Sequence, residues 1–81
     1  MISCAQHDYI EIVCMYQYPV LLVLRNGAQL RGTALDTEYN ARREECIKIK
    51  TDSVVDLVEL STVCSMRVTV NNPHVEFIEF T

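Results

Sequence analysis

The stretch from Pro19 to Gly32, reading PVLLVLRNGAQLRG, constrains this chain more than any other. Two apolar-rich runs flank Asn26-Gly27, the strongest short-range hairpin signal, because both residues tolerate the positive φ of a type I′ turn. The spacing predicts one strand over Val20 to Arg25 and a second from Ala28 to about Asp36. Gly32, inside the second run, predicts a bend or bulge of the kind a small barrel needs to turn a corner.

Directly before this hairpin, residues 7–17 read as a short helix. Ile10, Val13, Cys14 and Gln17 follow helical spacing, with Tyr9, Ile12 and Tyr16 on an adjoining stripe. Residues 1–6 read as an extended lead-in, in which Ser3 or Gln6 is the candidate helix start. Asp8 and Glu11 fall in the early turns, where the positive end of the helix dipole favours carboxylates. Three apart, they project on a common side. Pro19 ends the helix by disfavouring α geometry at Tyr18.

Downstream, residues 37–44 are polar without apolar periodicity and read as an exposed loop. Ile47 and Ile49 alternate with Lys48 and Lys50 as a half-buried strand. Thr51, Asp52 and Ser53 are turn residues. Val54 to Leu60 follows as a strand in which Asp56 and Glu59 have opposite parity, which predicts a bulge or twist. Ser61 to Cys64 is a connector with the look of one 3₁₀ turn. Met66, Val68 and Val70 alternate until Asn71-Asn72-Pro73 breaks the strand, and His74 to Phe80 supplies a last strand or an edge extension. One helix and five or six short strands make a mainly β domain: a small Sm-like antiparallel barrel over about residues 19–80, capped by the N-terminal helix. Eighty-one residues leave room for a single domain, 1–81.

Chemistry is sparse. With two glycines in the chain, no phosphate-cradling loop can be built, and no nucleophile motif appears. Cys4, Cys14, Cys46 and Cys64 lack the close pairing of zinc ligands and read as small buried hydrophobes. No enzyme activity, cofactor, metal or small-molecule substrate is expected. The N-terminus lacks the basic and apolar regions of a secretory signal, and Val20 to Leu24 is too short to span a bilayer, so a cytoplasmic protein without membrane contact is expected.

Seven basic residues are scattered against eleven acidic ones, a net charge of −4, which disfavours nucleic acid as a direct partner and favours a basic protein surface. Two readings of Asp8 and Glu11 stand: a solvated helix start, or a docking surface for Lys and Arg. The polar loop likewise reads as a solvated connection or a binding element. There Tyr39, Arg42 and Arg43 support an alternative function, an Sm-like RNA-binding module.

Cys4 followed by Cys14, with Asp8, Ile10 and Glu11 between them, then Leu22 to Gly27, Ala34 and Asp36, resembles the Rho-binding antiterminator family, Rof or YaeO. The similarity runs over essentially the whole chain from about Ile2. It implies an Sm-like barrel capped by a helix, no catalysis, and binding to the transcription termination factor Rho, a ring-shaped RNA-dependent helicase, at or near its primary RNA-binding sites. Such a protein inhibits Rho-dependent termination by keeping nascent RNA off Rho. Asp8 and Glu11 match acidic positions in the family's first helix, and His7 stands where some relatives carry Tyr. Asn40 to Arg43 matches a basic, polar loop on the helix side, here one residue longer. The implied partner-binding residues are therefore His7, Asp8, Glu11, Asn40, Arg42 and Arg43. Leu60 to Arg67 lacks the glycine of the second RNA-binding motif of genuine Sm proteins, so their uridine-binding ring is not expected.

Overall fold

The computed structural model describes residues 2–80; Met1 and Thr81, the ends of the expected 1–81 domain, lie outside the described residues. An N-terminal helix, α1 (Cys4–Met15), is followed by β1 (Pro19–Leu24), β2 (Gln29–Tyr39), β3 (Glu45–Thr51), β4 (Val54–Glu59), β5 (Val63–Val68) and β6 (Phe77–Glu79). A 3₁₀ turn, Leu60–Thr62, joins β4 to β5. All strand pairs are antiparallel, in one sheet of order β4-β3-β2-β1-β5-β6. Among the described residues its two outer strands do not pair with each other, so the small antiparallel barrel expected from the sequence is left unclosed. The ends are short or blunted: β6 has three residues, and Asp56 puts a charge in the middle of β4, which discourages further strand pairing.

The helix begins three residues earlier than its apolar spacing predicts, because both candidate starters act together. Ser3 is the N-cap; its hydroxyl accepts from the Gln6 amide, and the Gln6 side chain accepts from the Ser3 amide, a complete capping box. Almost no extended lead-in remains. At the other end the helix stops at Met15, before Tyr18, the residue that Pro19 restricts. Gln17 turns left-handed at φ 53, its N–H donates to the Cys14 carbonyl, and the Tyr18 N–H donates to the Val13 carbonyl. This is a Schellman ending with glutamine in the place glycine favours.

The first hairpin also differs from the I′ expectation. The Gly27 N–H donates to the Leu24 carbonyl and the Leu24 N–H to the Ala28 carbonyl, while Gly27 alone takes positive φ, at 89°. The connection is a three-residue loop with its left-handed residue last, and Asn26 Oδ1 accepts from the Ala28 amide. β2 runs on to Tyr39, past its expected end, because an irregularity between Ala34 and Asp36 preserves pairing with β3. The exposed loop shrinks accordingly to residues 40–44. The bulge lies there and not at Gly32, whose role is closeness: a Cβ would collide with the Ile49 side chain and stand 2.7 Å from the Lys50 carbonyl oxygen. β3 and β4 pair in unbroken register, so the opposite parities of Asp56 and Glu59 need no bulge; residues 54–57 are exposed on both faces of an edge strand.

One face of the sheet and the inner side of α1 form the core. Cross-strand partners Leu22–Met66, Met66–Ile78 and Val20–Val68 stack in it with Ile47, Ile49 and, from the helix, Ile10, Val13 and Cys14. Of the four cysteines, all free, Cys14 and Cys46 are buried, Cys64 is half-buried, and Cys4 is exposed, unlike the buried residue expected. Tyr16 is 52% exposed and stacks on His74 with ring centroids 4.8 Å apart.

Candidate functional surface

With Ile10, Val13 and Cys14 turned inward, helical geometry sends Cys4, Asp8, Glu11 and Met15 to solvent on the opposite side, and all four are exposed. The earlier start of α1 changes the meaning of the two carboxylates. Its first turn contains no acidic residue, so Asp8 and Glu11 lie beyond the turn over which the helix dipole acts. Capping is complete without them. Neither forms an ion pair or a side-chain hydrogen bond among the described residues. They are negative charges with no visible structural duty.

His7 lies on the flank of the same helix. Its Nε2 is 2.7 Å from Glu45 Oε1 at the start of β3, and this bond is the largest influence raising its pKa above the ordinary 6.5; partial burial opposes it. A second tie, from Gln6 Nε2 to the Glu79 carbonyl at 2.7 Å, secures the helix start to β6. His7, Glu44 and Glu45 share the lining of a cavity of ≈ 420 Å³ with Ile2, Leu60 and Phe80, so the helix start and the end of the 40–44 loop meet in space.

The loop itself is built around Asn40. Its Oδ1 accepts from the Arg42 and Glu44 backbone N–H groups at 2.9 and 3.0 Å, and its own backbone N–H donates to the Glu44 carbonyl. Arg43 takes the left-handed position at φ 63. The Arg42 guanidinium is held by Glu59 at 2.6 Å and Glu44 at 3.0 Å, which keeps it firmly charged but locally neutralised. Arg43 is exposed and its side chain makes no hydrogen bond or ion pair among the described residues. Thus His7, Asn40 and Arg42 have internal partners, whereas Asp8, Glu11 and Arg43 face outward unpaired.

Glu44, Glu45 and Glu59, which organise this region, escaped the sequence reading. Glu59 reaches Arg42 only because β4 brings it opposite Cys46. Nothing in local spacing announces that contact. Met15 could have been found: it stands four residues after Glu11 on the exposed stripe and is 68% exposed. Among the described residues, no three His, Cys, Asp or Glu side chains gather as a metal shell, and no helix is long and apolar enough to cross a membrane.

A family profile described as modulator of Rho-dependent transcription termination matches residues 1–80. Among solved structures, YaeO bound to magnesium from Vibrio cholerae O395 is similar with a TM-score of 0.87 and 34% identity, over 91% of this chain and 96% of that one. No curated protein matches.

Proposed function

The chain belongs to the ROF family of modulators of Rho-dependent transcription termination, and from that membership we propose that it binds the RNA-binding region of Rho and blocks RNA loading. The observation that carries this reading is the pair Asp8 and Glu11: exposed, unpaired, and outside the reach of the helix dipole. A surface evolved to hold RNA phosphates must be basic. An acidic helix face on a chain of net charge −4 complements it without being RNA. In this reading Asp8 and Glu11 pair with basic residues of Rho, while Arg43, His7, Asn40 and Arg42 border the contact. Arg42 and Asn40 serve it chiefly by holding the loop in shape. The protein acts as a competitor of RNA, in the cytoplasm, without catalysis of its own.

The alternative, direct RNA binding by an Sm-like module, is favoured by Tyr39, which is 67% exposed beside the loop. Against it, Arg42 already spends its charge on Glu44 and Glu59. Titration of purified Rho, and separately of single-stranded RNA, distinguishes the two. Asp8→Lys and Glu11→Lys are expected to weaken Rho binding at least ~30-fold each, since breaking a desolvated interfacial charge pair costs ~2–5 kcal/mol. Tight RNA binding together with Rho binding that is absent, or indifferent to both reversals, would sink the inhibitor reading.

A further inference from the structure

Beside the acidic face of α1 runs a groove of ≈ 500 Å³ between the helix and β2, with Glu11, Cys14 and Met15 on one side and Leu35 and Asp36 on the other. We propose that this groove receives an arginine or lysine side chain of the protein partner, its cationic head between Glu11 and Asp36 and its aliphatic stem against Met15 and Leu35. The inference rests on the proposed docking of Rho on α1, and extends it to residues outside the helix's charged pair.

The irregularity in β2 creates the acidic wall. Ala34 stands opposite Ile49 on the core face, so an unbroken strand would turn Asp36 inward as well. The extra residue gives the core-facing place to Thr37, opposite Ile47, and delivers Asp36 to the groove. One Asp36 oxygen accepts from the Thr37 amide at 2.8 Å, leaving the other open. Among the described residues no basic side chain lines the groove. Lys48, the cross-strand neighbour of Asp36, acts on it through space, but its ammonium is hydrogen-bonded to Glu38 at 2.9 Å.

The wall at Cys14 adds nothing to neutralise these carboxylates. That side chain is 7% exposed, its thiol has no hydrogen-bond partner among the described residues, and burial, aided by Asp36, pushes its pKa up to about 11. Glu11 has no basic partner among the described residues, so the groove favours an occupant that brings a positive charge. Met15 and Leu35 favour a cation carried on an apolar stem, which long basic side chains provide. Arginine would add paired hydrogen bonds to the two carboxylates.

The test measures binding of purified Rho to the wild type, Asp8→Lys, Asp36→Asn and Met15→Ser, with circular dichroism as the folding check. Asp36→Asn keeps the shape of the side chain and removes its charge. Met15→Ser alters an exposed position and carries the test should Asp36→Asn fail to fold. The expected result is loss of binding with Asp8→Lys and about tenfold weakening with each groove variant. Wild-type affinity in both groove variants, with Asp8→Lys still defective, overturns the groove and leaves the docking of Rho on α1 intact. Failure of the wild type to bind Rho overturns both. Magnesium chloride titrated in the absence of Rho, followed by NMR, is expected to leave the groove resonances unmoved. A shift at Glu11 and Asp36, with Rho binding indifferent to Asp36→Asn, would make the groove a metal site instead.

Discussion

His7 carries the most informative single contact in the molecule, because it couples the helix that bears Asp8 and Glu11 to the strand that follows the 40–44 loop. The charged groups facing it are Glu45, bonded to its ring, and Glu11 one turn along the helix; Glu44 and Arg25 line the adjoining cavity. Since the bond to Glu45 raises the imidazole's pKa, its stabilising contribution is fully present below the ordinary 6.5 and is lost as pH rises through the raised value. Thermal unfolding followed from below pH 6.5 into mildly alkaline solution should show stability falling across that window. Glu45→Gln should flatten the fall. A profile identical in the wild type and Glu45→Gln would show that the bond does not stabilise the fold. The pair is partly exposed, so high salt should shrink the effect. His7 was legible in the sequence as a candidate, but its partner was not: Glu45 lies 38 residues away.

At the scale of elements, β2 organises the protein. Its first half, to Thr33, pairs with β1 and its second half, from Thr33, with β3, and its irregularity between Ala34 and Asp36 places an acid beside α1. Gly32 lies in close approach to β3. Its replacement by alanine would push a methyl group against the Ile49 side chain and the Lys50 backbone, which a paired strand cannot readily yield. Overpacking of this kind costs ~1–3 kcal/mol, so Gly32→Ala should lower the urea midpoint with little change in slope. An unchanged midpoint would mean that β2 and β3 separate more freely than their register implies. The sequence signalled a special backbone at Gly32, and the structure assigns the reason to close approach instead of a bulge. Glycine marks both cases alike. Only the neighbouring strand distinguishes them.

For the whole molecule, a single core joins α1 to the sheet, so its buried thiols report on cooperative unfolding. Cys4 should react with a thiol reagent at once and Cys64 more slowly, whereas Cys14 and Cys46 should react only as the fold opens. Rapid labelling of Cys14 in native buffer would show that the helix detaches independently of the sheet. What the sequence determined by itself was the kind and order of the elements: helix, hairpin and a succession of short strands. Those properties are carried by short-range spacing and by local chemistry such as the Ser3–Gln6 cap. Tertiary structure alone decided that the sheet stays open, that Arg42 is held by Glu59 from 17 residues away, and that Asp36 turns from the core to the groove. The physical reason is register. A one-residue irregularity exchanges the two faces of a strand, and the choice of partner for each charge follows from that exchange, which no local period records.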